Sequence, residues 1–298
     1  MDQILSMSDP SSVAAAIRGS RNLLTIGRRA LYRSVTNDKF GIRRTRLLLK
    51  TLSQKNDLAV IVRVLSLRLP PQFKENDWTL LKFALSQTIN LHRLDLPFPR
   101  YKPGLLSHTN FPQLRTLAFI ASPETPHVPF GIDFLSRHPT IRTLSITGNS
   151  QFILDGIPTT TLPKLINLNL TCPLHLRYLL PGRPIRYLSI SLLHQARSLS
   201  TTDLIGALEN LSSTSADTLE EINLDLQSGL GAHAAGVLQS LAYLAITRLT
   251  LTFIRHASPS VSFNVLFLHR LYLMAPISCR FTNLLPSSQL YPAFGTFL

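Results

Sequence analysis

A six-residue phrase, apolar-x-x-apolar-x-apolar, returns nine times along the chain. The copies begin at Val62 (VRVLSL), Leu91 (LHRLDL), Leu114 (LRTLAF), Ile141 (IRTLSI), Leu165 (LINLNL), Ile185 (IRYLSI), Leu219 (LEEINL), Ile246 (ITRLTL) and Leu268 (LHRLYL). Successive starts lie 20 to 34 residues apart. Self-similarity at that period marks a stacked architecture, because one unit buries its apolar stripe only against the next copy. An extended solenoid is therefore expected, not a compact enzyme built around one pocket.

Alternation over the last three positions of the phrase is the period-two pattern of a short strand with one buried face. Three copies carry a proline two residues upstream, Pro112, Pro139 and Pro163. A proline there stops the preceding helix or turn and holds the residue before it extended. Between strands, residues 77–90, 131–139, 202–213 and 231–244 place apolar side chains at helical spacing, whereas 98–112 and 147–163 are rich in Pro, Gly, Ser and Thr and are expected to be loops. The fold class expected is α/β: a curved parallel sheet with helices and loops on its convex side.

Composition supports folding throughout: apolar residues make up 45% of the 298 and charged residues 15%. Arg63 interrupts the most apolar run, LAVIVRVLSL, so no membrane helix is expected. The start, MDQILSMSDP, has an early acid and no basic stretch before an apolar core, unlike a secretory signal. Cys172 and Cys279 suit a reducing compartment, which points to a cytoplasmic or nuclear protein. The net charge of +14 is concentrated at the ends. Residues 1–60 carry eleven Lys and Arg against four acids, and no acid follows Asp225.

Catalytic and cofactor signatures are weak. Residues 229–234, GLGAHA, fit the dinucleotide fingerprint G-x-G-x-x-A, but residues 226–298 hold no Asp or Glu to bind a ribose. The nine histidines include no pair four residues apart, so no metal site is expected. Cys172 and His175 are close in sequence, but nothing nearby suggests an oxyanion site or a third catalytic group. No catalytic residue, metal ligand or cofactor is assigned.

A partner has a better-defined place to bind. Positions three, five and seven of the phrase should point away from the core onto the concave face. Arg93, Asp95, Thr116, Thr143, Asn167, Asn169, Tyr187, Glu221, Asn223, Arg248, Arg270 and Tyr272 are the candidate contacts. The surface is mostly hydroxyl and amide, with charges nearly balanced. It suits protein recognition anchored on Arg and Tyr better than a phosphate backbone, which needs converging cations. Nucleic acid would have to use basic residues 28–50, whose plainer reading is the solvated face of a helix.

The N-terminal stretch 1–36 carries Ile4 and Leu5, the turn Ser8-Asp9-Pro10-Ser11-Ser12, a helix from Val13 to Ile17, Ser20-Arg21 and the phrase Ala30-Leu31-Tyr32-Arg33-Ser34-Val35. These residues resemble the latter part of an F-box. The chain as a whole is similar to fungal F-box proteins with degenerate leucine-rich repeats. The Leu-Pro-x-Glu opening of the F-box has no counterpart before Asp2, and the asparagine usual nine residues into such a repeat is matched only by Asn149. The resemblance implies an incomplete F-box over 1–36, a helical connector and cap over 37–61 and a solenoid over 62–298. It further implies a non-enzymatic substrate receptor that docks on a Skp-type adaptor of a cullin (SCF) ubiquitin ligase. Ile4, Leu5, Pro10, Val13, Ile17, Leu31 and Tyr32 would then face the adaptor, and the concave face would hold a protein target. The alternatives are a free-standing repeat scaffold or a pseudo-F-box remnant without a ligase and, more weakly, a nucleic-acid binder through basic residues 28–50.

Overall fold

The computed structural model describes residues 12, 15, 24–37, 41–69, 73–96, 105–121, 132–148, 157–172, 175–191, 206, 218–227, 248–255 and 277–283. The chain forms two compact units, Met1–Leu168 with Gly182–Pro184, and Asn169–Pro181 with Ile185–Leu298.

In the first unit, α1 (Leu24–Arg33) runs directly into β1 (Ser34–Thr36). There follow α2 (Ile42–Gln54), α3 (Asn56–Ala59), β2 (Val64–Ser66), α4 (Glu75–Gln87), β3 (Arg93–Leu96), β4 (Thr116–Ala121), α5 (Ile132–Arg137) and β5 (Thr143–Gly148). The boundary falls within β6 (Asn167–Leu170). The second unit holds α6 (Leu176–Leu179), β7 (Tyr187–Ser191), β8 (Glu221–Gln227), β9 (Arg248–Arg255) and β10 (Ile277–Asn283).

Within each unit the strands pair in chain order, all parallel, and the register follows the phrase. Val64 lies beside Arg93, Arg93 beside Thr116 and Thr116 beside Thr143. In the second unit Tyr187 lies beside Glu221 and Glu221 beside Arg248. The apolar positions explain why that register holds: the first, fourth and sixth residues of each described phrase are at most 3% exposed, from Val62, Leu65 and Leu67 to Leu219, Ile222 and Leu224. A slip of one residue would turn each such trio toward solvent. Full burial of one Leu or Ile stabilises by about 1.5–3 kcal/mol, so a slipped strand forfeits several kcal/mol.

The structure departs from the sequence expectation at the first strand and at the last described one. Ser34, Val35 and Thr36, assigned above to the F-box-like helical segment, form the first strand and pair with Val64, Leu65 and Ser66. The residue after it, Asn37, occupies the sixth, apolar position of a degenerate phrase and is fully buried. Its amide replaces the missing hydrocarbon with hydrogen bonds: Nδ2 donates to Arg68 O and Thr45 Oγ1, both at 3.2 Å, and Oδ1 accepts from Arg68 N–H. At the other end, the strand beside β9 is Ile277–Asn283, with Ile277 next to Leu249. The ninth phrase, at Leu268, lies outside the described residues.

The helices of the first unit fall where helical spacing places them, with α4 over the expected 77–90 and α5 over 131–139. Asp77 Oδ2 accepts the backbone N–H of Lys74 at 2.8 Å, satisfying a donor at the start of α4. The carboxylate also takes a two-pronged bond from Arg46 of α2, 2.6 Å from Nε and 2.7 Å from Nη2, which ties the two helices together. Among the described residues no helix is long and apolar enough to cross a membrane.

Where repeats leave turn carbonyls inside the unit, cations and an imidazole bind them. Arg137, at the end of α5, donates to Ser107 O and Thr109 O. Arg183 is 4% exposed and donates to Thr161 O at 2.7 Å and Pro158 O at 2.9 Å. Burial lowers its pKa to about 10, so it stays protonated at neutral pH. His138 is fully buried, its Nε2 accepting the Phe111 N–H at 2.9 Å while Nδ1 meets Phe134 O. Because the Phe111 amide can only donate, the proton sits on Nδ1 and the ring is neutral. Its ring also packs against Phe134 and Phe111, with centroids 4.0 and 5.8 Å away.

Candidate recognition surface

In each unit the side chains opposite the leucines make up an open face. On the first unit, the third positions carry Val64, Arg93, Thr116, Thr143 and Asn167, and the fifth positions carry Ser66, Asp95, Ala118 and Ser145. Arg93 is exposed, while Asp95, Thr116, Thr143 and Asn167 are half-buried. Strand pairing aligns these residues in rows along the sheet, a consequence of the phrase repeating without a shift.

Polar groups on this stretch satisfy one another. Arg93 Nε donates to Asp95 Oδ2 at 2.8 Å, a pair set two residues apart on one strand and hence on one face. Asn167 Nδ2 donates to Thr143 Oγ1 at 3.1 Å. The other oxygen of Asp95 is buried without a hydrogen-bond partner.

On the second unit, Tyr187, Glu221 and Arg248 share one row, and Ser189, Asn223 and Thr250 the next. Tyr187 is 42% exposed. Glu221 collects both of its neighbours: Arg248 Nη1 at 3.3 Å and Asn223 Nδ2 at 3.4 Å. Asn169 is exposed. Charge on each stretch is largely cancelled where it stands, as the near-balance of the sequence positions suggests. An aromatic ring, an amide and an ion pair in neighbouring strands provide directional contacts with little net field.

The structure corrects one seventh position. Thr171, placed on the open face by its spacing, is 5% exposed, because the chain leaves β6 at Leu170 and turns inward. Arg270 and Tyr272 lie outside the described residues, as do Ile4, Leu5, Pro10, Val13 and Ile17 of the F-box-like segment. Leu31 and Tyr32 are half-buried at the end of α1, immediately before β1. Cys172 is a buried thiol whose carbonyl accepts the His175 N–H at 3.3 Å, an arrangement that closes a turn. Among the described residues no three His, Cys, Asp or Glu side chains gather as a metal site would need.

Spacing alone missed the groups that join the repeats: Asn37, His138, Arg137 and Arg183. A weak signal existed for His138, which stands three residues before its phrase, as Phe111 does before the preceding one. No family model and no curated protein sequence matches the chain.

Proposed function

We propose that the chain is a non-enzymatic recognition protein that holds a protein partner on the open face of its parallel strands. The observation that carries this reading is the row-by-row alignment of Arg93, Thr116, Thr143 and Asn167 in one unit and of Tyr187, Glu221 and Arg248 in the other. Arg and Tyr anchors surrounded by hydroxyls and amides are the composition from which protein interfaces draw most of their binding energy. The surface is built on rigid strands, so little ordering entropy is lost on binding.

The F-box resemblance of residues 1–36 supplies the second half of the proposal: the protein is a substrate receptor of a cullin-type ligase, and its N-terminal segment holds a Skp-type adaptor. Its action is proximity, the raising of target concentration next to a ubiquitin-transferring partner.

Co-purification tests both halves. The full chain should retain a Skp-type adaptor, and deletion of residues 1–23, which leaves α1 and β1 in place, should abolish that retention without releasing the protein target. An adaptor that never co-purifies with the full chain removes the ligase assignment and leaves a free-standing scaffold. Loss of the target upon Arg93→Ala or Tyr187→Ala supports the face as its site, and an unaffected target refutes it.

A further inference from the structure

One row of side chains lies just outside the open face and was not singled out by the sequence pattern. The second residue of the phrase, at the strand-entry edge, is Arg33, Arg63, His92, Arg115 and Arg142 on five consecutive rungs of the first unit. Backbone hydrogen bonds hold these five residues in register. Arg33 O accepts from Arg63 N at 2.9 Å, Arg63 O from His92 N at 2.7 Å, His92 O from Arg115 N at 2.8 Å and Arg115 O from Arg142 N at 2.8 Å. At about 4.8 Å per rung, the row extends across about 19 Å.

Among the described residues its charge is not cancelled. Arg33, Arg115 and Arg142 are exposed and form no ion pair among the described residues. Arg63 is half-buried and spends one N–H on the carbonyl of Asn90, and His92 meets Gln113 Oε1 at 2.8 Å. Asp95, on the neighbouring open face, is already taken by Arg93. The second unit differs, since its Arg186 at the same phrase position pairs with Glu220 on the next rung at 3.3 Å. Guanidinium groups in a line, unopposed among the described residues and spaced by a backbone ladder, form a surface complementary to an extended anion.

We infer that this edge binds an acidic polypeptide segment, rich in Asp or Glu, lying across the strands. The inference rests on the protein-recognition reading above and deepens it by naming the chemistry of the partner. Two features favour polypeptide over nucleic acid. Single-stranded nucleic acid is held by aromatic rings on which bases stack, and the row itself offers only the His92 imidazole, already engaged with Gln113. The adjoining row of Thr116, Thr143 and Asn167 instead offers hydroxyl and amide groups suited to a peptide backbone.

The test is fluorescence anisotropy of labelled poly-glutamate on the full-length protein, alongside a labelled single-stranded oligonucleotide. Binding of poly-glutamate should weaken as salt rises, and about tenfold in the double variant Arg115→Ala with Arg142→Ala, two exposed charge contacts being lost. Arg186→Ala should change nothing. Unaltered poly-glutamate affinity in the double variant overturns the inference, as does an oligonucleotide that binds more tightly and loses affinity with the same two arginines. The outcomes separate from those of the receptor proposal: a chain that binds poly-glutamate without retaining an adaptor refutes only the ligase assignment, and the converse refutes only this edge.

Discussion

His138→Leu removes one imidazole of similar volume from the centre of the first unit and leaves two backbone groups to account for. The Phe111 N–H loses its acceptor at 2.9 Å and has no water to turn to, since His138 and Phe111 are both fully buried. An orphaned buried donor costs about 1–3 kcal/mol, and the lost bond to Phe134 O adds about 1 kcal/mol. The leucine keeps most of the packing against Phe134, so the expected destabilisation is about 2–4 kcal/mol, read as a lower urea midpoint at unchanged slope. The pH dependence gives a second readout. Burial is the main cause that lowers the His138 pKa below its ordinary 6.5, with the bond to Phe134 O opposing it and Arg137 reinforcing it. A folded-state pKa below the unfolded one means that the stabilising contribution is complete above pH 6.5 and is lost as pH falls from there through the folded value. The wild-type protein should therefore weaken as pH falls below 6.5 more steeply than His138→Leu does. A variant whose urea midpoint matches wild type at pH 7.5, or the same acid slope in both proteins, would falsify the assignment of a neutral, doubly bonded imidazole.

Three further outcomes follow from contacts between elements. Asp77→Asn should destabilise by about 1–2 kcal/mol, as one oxygen of its bond to Arg46 becomes a donor and the acceptor at the start of α4 weakens. The Arg46 hydrogen bond is the main cause that holds the Asp77 pKa below its usual value, so that stability is present above about pH 4 and lost below it. The gap between Asp77→Asn and wild type in a urea titration should close in acid. Arg183→Met should lower the thermal midpoint, because the carbonyls of Thr161 and Pro158 lose their donor, and Arg183→Lys should recover part of the loss by reaching one of them. Leu144→Ala should cost about 2–5 kcal/mol in urea unfolding, whereas Thr143→Ala, one residue away on the open face, should cost under about 1 kcal/mol.

The strands could be read from the chain because their register is enforced by a pattern that repeats locally. Every described phrase buries its first, fourth and sixth residues, and the residues between them fall on the opposite face with the pairing that spacing alone implies. Two strands escaped that pattern for identifiable reasons. β1 retains only Val35 as a buried apolar residue within the strand, its next inward position being the hydrogen-bonded amide of Asn37. β10 lies nine residues beyond the start of the last phrase, in a stretch, ISCRFTN, that lacks the paired leucines. The candidate face was legible as a set of positions, but the pairings that neutralise it were not. Whether Glu221 meets Arg248 or a residue on its other side depends on side-chain rotamers that no periodicity encodes. The basic row at the strand entry was equally present in the sequence, in the phrases LRT and IRT. It gains meaning only when the ladder shows Arg115 and Arg142 one rung apart.

One face of the parallel strands is open and the other closed, alternating residue by residue. Single cysteines placed at 116, 117, 118, 143, 144 and 145, in a background with Cys279 replaced by serine and Cys172 buried, can be timed with a water-soluble thiol reagent in the folded protein. Under that alternation labelling should be fast at 116, 118, 143 and 145 and slow at 117 and 144. Equal rates at all six positions, or fast labelling at 117 and 144, would contradict it.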